Sequence, residues 1–334
     1  MSQGEAAWIS ALLAGFGSTV AGSGVVVGIG DDAAVLEPPP GERLVATVDM
    51  VVEGQHFTRS GPGASTPEDI GWHALAVNLS DMAAMGARPL WALCSLGVPD
   101  GCTPEFARRL AGGMAELAAP LGVRVVGGNL ARVSQGLVVD VTALGSVGQA
   151  IRRDGAVPGD LVCVTGHLGR AAAGLALARS GGRPDAATGS LWAALRRPLP
   201  RVRAGIALGG AAGQVHAACD ISDGLALDLG RVCAASRVGA ALWRPALPMD
   251  AATRAAAAGL GQDALAWAVH GGEDYELLLA VPPAAEHTLR RLLAAVETPL
   301  VVVGAFLEQP GLYMGEGPGS DLRPLPNDGW DPFA

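Results

Sequence analysis

Stretches whose apolar residues return every third or fourth position alternate along this chain with short apolar runs closed by glycine or proline. That is the pattern of helices interleaved with strands. Glu5 to about Phe16 predicts a short helix, and the β-branched run Val25–Val27 predicts a strand ending at Gly28. A Pro38-Pro39-Pro40-Gly41 turn separates two strands, the second running from Arg43 to Met50. Ser65-Thr66-Pro67-Glu68-Asp69 is a helix start, with a capping hydroxyl, proline in the first turn and acids at the positive helix end. This helix runs to about Met85 and stops before Gly86. Within it Ile70, Ala74, Val77 and Asp81 recur at helical spacing, and Asn78, three residues before Asp81, shares its face.

Further on, Pro89–Val98 predicts a strand and Thr103–Leu121 a helix capped by Thr103. Val123–Val126 reads as a short buried strand leading into Gly127-Gly128-Asn129, where the missing side chains let a backbone or a ligand come close. Leu137–Val147 is another strand. In the second half, strands are predicted over Leu161–Thr165, over LLLAV after Glu276, and over Pro299–Ala305. Helices are predicted over Leu168–Ser180, partly over Pro198–Ala212, from Gly224, and over Glu286–Val296. The passage from Gly148 to Asp160 reads as a domain boundary, so the expected fold class is α/β with two domains, 1–150 and 151–334.

Composition narrows the chemistry. Half of the 334 residues are apolar, yet no uninterrupted apolar run approaches eighteen residues, so no membrane association is expected. MSQGEAAWIS lacks the charged and apolar regions of a signal peptide. Five scattered cysteines without a CxxC pair fit a reduced, cytoplasmic location. The net charge of -9 argues against nucleic-acid binding, which needs many basic side chains on phosphates. No lysine occurs anywhere, which excludes a phosphate-loop lysine, a Schiff-base lysine and a kinase strand lysine together. If this chain handles phosphates, metal ions, arginines and backbone amides must supply the positive charge.

Acidic residues gather in the stretch from Gly28 to Phe57, which holds Asp31, Asp32, Asp49, Glu53 and His56. Two carboxylates about 4 Å apart repel by roughly 4 kcal/mol at an effective dielectric near 20, so a shielded cluster must bind protons or cations. Oxygen-rich sites of this kind suit magnesium. Asp31-Asp32 reads equally well as a solvated turn. Asp81 sits on an otherwise small, apolar helix surface and needs a partner, either a cation or a neighbouring loop. In DISDGLALDL, Asp220 and Asp223 bracket Ser222 before a helix whose amides attract anions, and Asp223 is also readable as a cap. Trp330 near the end is either a packing anchor or a stacking surface for an aromatic ligand.

GIGDDAAV, TVDMVVEGQHF, ALAVNLSDMAAMGARP, VPGDLVCVTG, DISDGLALDL and GGEDYELLLAVP occur in this order and together resemble the thiamine-monophosphate kinase family. That family lies within the aminoimidazole ribonucleotide synthetase-like superfamily. The resemblance implies a two-domain α/β (α+β) fold with mixed sheets flanked by helices. It also implies ATP-dependent phosphorylation of thiamine monophosphate to thiamine diphosphate. The N-terminal domain would bind ATP and magnesium and form a homodimer; the C-terminal domain would complete the ATP and substrate site. Metal ligands, for several magnesium ions, would fall on Asp32, Thr47, Val48, Asp49, Asp81, Asn129, Asp220 and Asp223. ATP contacts would fall on Gly128, Asn129, Arg153 and Ser222, and substrate contacts on His56, Glu273 and Trp330.

Two positions depart from the family pattern. Gly127-Gly128-Asn129-Leu130 stands where GGDT is usual, so a metal-binding carboxylate becomes a neutral amide, and Val48 stands where a threonine is common. For such a phosphoryl transfer, direct in-line attack with no covalent nucleophile and no strong general base is expected, since a phosphate oxygen is already ionised at neutral pH. The alternatives are a related ATP-using enzyme with another acceptor and a nucleotide-binding protein with impaired catalysis.

Overall fold

The computed structural model describes residues 4–329. They form two compact units, one running to Met82 and resuming over Arg88–Gly148, the other made of Ala83–Ala87 and the chain from Gln149 onward.

The first unit contains α1 (Glu5–Phe16), β1 (Val25–Val27), β2 (Val35–Leu36), β3 (Arg43–Val52), α2 (Pro67–Ala84) except its last two residues, β4 (Arg88–Val98), α3 (Pro104–Leu121), β5 (Arg124–Arg132) and β6 (Val138–Val147). Its main sheet has the order β3-β6-β4-β5, with β6 antiparallel to β3 and β4, and β4 parallel to β5. The start of α2 is set by its own sequence: Thr66 Oγ1 accepts from the Asp69 amide, and the Asp69 carboxylate accepts from the Thr66 amide. α2 and α3 approach so closely that a Cβ on Gly71 would lie 1.9 Å from the Leu110 carbonyl oxygen, and one on Gly113 would lie 1.9 Å from that of Glu68. Only glycine fits at either contact, and a two-pronged Arg109–Glu68 ion pair flanks them. β3 is an edge strand, and it leaves Leu44, Val48 and Met50 exposed.

The second unit contains β7 (Leu161–Thr165), α4 (Arg170–Arg179), α5 (Gly189–Arg196), α6 (Val202–Gly209), β8 (Ala217–Ile221), α7 (Leu225–Ser236), β9 (Gly239–Trp243) and α8 (Ala251–Leu260). It continues with α9 (Ala264–His270), β10 (Glu276–Val281), α10 (Glu286–Ala294), β11 (Leu300–Leu307), β12 (Gly311–Gly315) and β13 (Arg323–Pro324). Its sheet has the order β13-β12-β9-β11-β7-β10-β8, and only the β12–β9 pair is parallel. The strand period of two sorts β10 between two cores. Leu278 and Ala280 pack with α7 and α9, while Leu277, Leu279 and Val281 pack with α6 and α10. Each of these fully buried leucines contributes about 1.5–3 kcal/mol of burial energy. Among the described residues no helix is long and apolar enough to cross a membrane.

The structure departs from the sequence-based expectation at Gly127–Asn129, which continues β5 to Arg132 instead of ending the strand. A bulge between Ala92 and Leu93 shifts the pairing, and β5 then passes so near β4 that a Cβ on Gly128 would sit 1.8 Å from the Cys94 carbonyl oxygen. The glycines therefore admit the neighbouring strand. α5, α8, α9, β9 and β12 lie in stretches for which the sequence pattern had predicted no element.

Candidate active site

In the first unit the middle of β3 meets the C-terminal half of α2. The Thr47 hydroxyl donates to Asp81 Oδ2 at 2.5 Å. Asn78, one helical turn before Asp81 and fully buried, accepts from the Asp49 amide at 3.1 Å and donates to the Asp49 carbonyl at 3.5 Å. An edge strand leaves alternate peptide groups unpaired, and Asn78 takes up both of those at Asp49. The Asp49 residue is thus held by its backbone, and it remains exposed. Asn78 is a residue whose role the sequence only hinted at, through its shared face with Asp81.

His56 follows β3 in a tight turn in which its Nδ1 accepts from the Val52 amide at 3.1 Å. This fixes the proton of the neutral ring on Nε2. Val48 points its exposed side chain away from the Thr47 face. Asp32 is exposed on the turn between β1 and β2, where its amide donates to Asp31 Oδ1, as in the solvated-turn reading. Gly128 and Asn129 lie on β5, the opposite edge of the sheet from β3. Asp49 and Gly128 stand at the same level, since Asp49 pairs with Val141, Val141 with Cys94 and Cys94 with Gly128. Three strand spacings put them about 14 Å apart. One copy of this sheet therefore does not bring Asn129 to Asp49.

In the second unit, buried β8 delivers Asp220 at its end, and Ser222 and Asp223 follow in the loop before α7. The amides of Ser222 and Asp223 both donate to Asp228 Oδ2 at 3.0 Å. Arg231 Nη1 bridges Asp223 Oδ2 at 2.5 Å and Asp228 Oδ1 at 2.6 Å. Asp228, not Asp223, therefore serves the loop amides ahead of the helix, and the capping reading of Asp223 is corrected. Burial raises the Asp228 carboxyl above the ordinary carboxylate range, against the pull of the Asp223 amide and Arg231. Its signal in the sequence was an acid in the first turn of the helix. The Glu273 amide donates to the Ser222 carbonyl at 2.7 Å, which ties the GGEDYE loop to the Ser222 loop. Arg153 is exposed, and among the described residues it makes no ion pair. Trp330 lies outside the described residues.

Among the described residues no three acidic, histidine or cysteine side chains are gathered closely enough to hold a metal ion. Magnesium needs only one or two carboxylates when phosphates and waters complete its shell. The donor sets around Thr47, Asp49 and Asp81, and around Asp220 and Asp223, are all hard oxygen and fit that requirement.

Residues 30–147 match the AIR synthase related protein, N-terminal domain, and residues 157–315 match the AIR synthase related protein, C-terminal domain. Fold and site together thus define a two-domain, mixed α/β protein of the AIR synthase-related class. The thiamine-monophosphate kinase of Rhodopirellula baltica is 37% identical over 296 residues, covering 86% of each chain. The crystal structure of thiamine-monophosphate kinase from Stenotrophomonas maltophilia K279a aligns with a TM-score of 0.82 at 38% identity, over 94% of this chain and 97% of that one. A solved structure of AaThiL complexed with AMPPCP and TMP aligns with a TM-score of 0.74 at 30% identity, over 86% and 88% of the two chains. The chain belongs to the thiamine-monophosphate kinase family and is an enzyme.

Proposed function

We propose that this enzyme transfers the γ-phosphoryl group of ATP to thiamine monophosphate, giving thiamine diphosphate and ADP. The observation that carries the reading is the Thr47–Asp49–Asp81 constellation, pinned by Asn78, in a chain without lysine. A terminal phosphate oxygen of thiamine monophosphate attacks the γ-phosphorus in line. A new P–O bond forms, the bond to the β,γ-bridging oxygen breaks, and ADP leaves with its electron pair. That nucleophile is ionised at neutral pH, so neither a covalent intermediate nor a strong base is needed. Buried Cys94, Cys163 and Cys233, their thiols pushed up to about 12 by burial, fit the absence of a cysteine nucleophile.

Asp32, Thr47, Val48 through its backbone, Asp49, Asp81, Asn129, Asp220 and Asp223 would hold magnesium ions. Bound magnesium supplies the positive charge that offsets the converging phosphates. Gly128, Asn129, Arg153 and Ser222 bind ATP; His56, Glu273 and Trp330 bind thiamine monophosphate, with the tryptophan stacking on the cationic thiazolium. The first unit is also the dimerising one, supported by the exposed Leu44, Val48 and Met50 on edge strand β3. The five free cysteines support a cytoplasmic location.

Phosphorus NMR of the protein with magnesium, ATP and thiamine monophosphate tests this reading. Thiamine diphosphate should appear in step with ADP; intact ATP after prolonged incubation would refute it. Asn129, a neutral amide on β5 where the family usually has a carboxylate, favours one second reading, an impaired nucleotide-binding protein. Turnover by Asn129→Asp alone would support that second reading.

A further inference from the structure

The loop before β10 holds two non-glycine residues in the left-handed region, Glu273 at φ 65° and Tyr275 at φ 49°. Side chains resist that backbone, and it persists where the surroundings over-determine it. Here they do so on both sides of Asp274. The Glu273 and Tyr275 amides donate to the Ser222 and Ile221 carbonyls at 2.7 and 2.8 Å. Between them, Asp274 Oδ2 accepts from the Gly169 amide at 2.8 Å, at the cap position of α4, with the amides of Arg170 and Ala171 beside it. Gly169 has no side chain to cap α4, so the carboxyl group of Asp274, 105 residues away, does so. One residue beyond the loop, Glu276 is held by Arg201 through two bonds of 2.6 and 2.5 Å and by the Thr165 hydroxyl at 2.7 Å.

We propose that Asp274 is a positioning residue for the substrate: by docking on the N-terminus of α4 it locks the left-handed backbone that aims Glu273 at thiamine monophosphate. This rests on the assignment of Glu273 as a substrate contact. Without the Asp274 carboxyl group the loop relaxes toward ordinary backbone angles and Glu273 leaves its productive direction, while the Ser222 loop keeps its own anchor, the Asp228 carboxyl that accepts from the Ser222 and Asp223 amides. Asp274 also lines a cavity of about 200 Å³ with His167, Arg170 and Arg201. A water in that cavity, in the place of the deleted carboxyl, is the natural replacement partner for the Gly169 amide in Asp274→Ala.

The test is steady-state kinetics of the full-length enzyme with both substrates, together with circular dichroism. Asp274→Ala should raise the KM for thiamine monophosphate about tenfold or more and change the KM for ATP less than twofold. Asp274→Asn, which keeps an oxygen to accept from Gly169, should recover most of that loss. In Glu273→Ala/Asp274→Ala the KM for thiamine monophosphate should be no higher than in Glu273→Ala alone, because the positioned group is already gone. A folded Asp274→Ala with a wild-type KM, or effects that multiply in the double variant, would overturn the proposal. Should Asp274→Ala not fold, Asp274→Ser takes its place with the same outcomes. If Glu273→Ala itself leaves the KM unchanged, the substrate assignment falls and the positioning role with it. A raised KM in Glu273→Ala beside a normal one in Asp274→Ala removes the positioning role alone.

Discussion

Arg201→Met isolates what the buried ion pair contributes to the second unit. The Glu276 side chain is 3% exposed and that of Arg201 17%, so the variant strands a carboxylate almost without access to water. Its remaining donors are the Thr165 hydroxyl at 2.7 Å and the His167 amide at a long 3.3 Å. Breaking a buried pair from one side costs about 3–5 kcal/mol. In a domain of this size each kcal/mol lowers the melting temperature by about 2–4 °C, so the transition should fall by roughly 6–20 °C. Glu276→Gln should cost less, because the stranded group is then the guanidinium, which is nearer to water. Replacing both, as Arg201→Met/Glu276→Leu, should recover most of the loss, since a buried pair and an apolar pair of similar volume are often close in stability. Urea unfolding and scanning calorimetry of the full chain measure all three. A loss below about 1 kcal/mol in Arg201→Met, or a double variant as unstable as the single, would show that the pair is not what holds this region.

Asp49→Ala and Asp223→Ala should each nearly abolish thiamine diphosphate formation by phosphorus NMR while leaving circular dichroism unchanged; wild-type turnover in either would remove it from the metal site. Alkylation at pH 8 should reach half-buried Cys102 first, because a thiol near 12, such as Cys94, Cys163 or Cys233, is only about 1 part in 10⁴ thiolate there. Rapid labelling of those three in the folded protein, followed by intact mass, would contradict this. Burial, opposed by the Gly169 amide and reinforced by Glu276, pushes Asp274 from 3.8 up to about 8. The folded chain then holds more protons than the unfolded one between these values, so this group's contribution falls as pH rises from about 4 to 8. Asp274→Asn should therefore lose less stability than the wild type between pH 5 and pH 8, read from urea midpoints; equal losses would refute the shift.

Elements written in local chemistry were legible. The start of α2 follows from Thr66 and Asp69, whose reciprocal bonds lie within three residues of each other. Buried β10 follows from its leucine run between the Gly271-Gly272 turn and two prolines. In contrast, α8 reads AATRAAAAGL, in which alanine supplies no large apolar residue to mark the inner face, and the five-residue run of β9 carries no periodicity that tells strand from helix. Gly127-Gly128 reads locally as a loop, and it takes the carbonyl of Cys94 against Gly128 to make it a strand. At the site, the residue types of Asp49, Asp81, Asp220 and Asp223 could be singled out from their strands and helices. What holds them could not. Asn78 acts across 29 residues, and Asp274 and Glu276 find their partners 75 to 111 residues away, distances at which sequence spacing carries no information.

The same partners sharpen the electrostatic argument that began with the missing lysine. Every basic side chain apart from histidine is an arginine, and several of these are already committed to carboxylates: Arg59 to Glu53, Arg109 to Glu68, Arg201 to Glu276, and Arg231 to Asp223 and Asp228. Their planar forks suit this work, which a lysine would do less well. It also means that these guanidinium groups stabilise the protein's own acids rather than waiting for a phosphate. Arg231 makes the point directly, since it neutralises the very Asp223 assigned to magnesium. Asp228, which shares that guanidinium and holds the loop amides, gives the exposed Arg231 a second anchor, so the guanidinium would keep a partner if the Asp223 carboxylate turned to a metal ion as proposed.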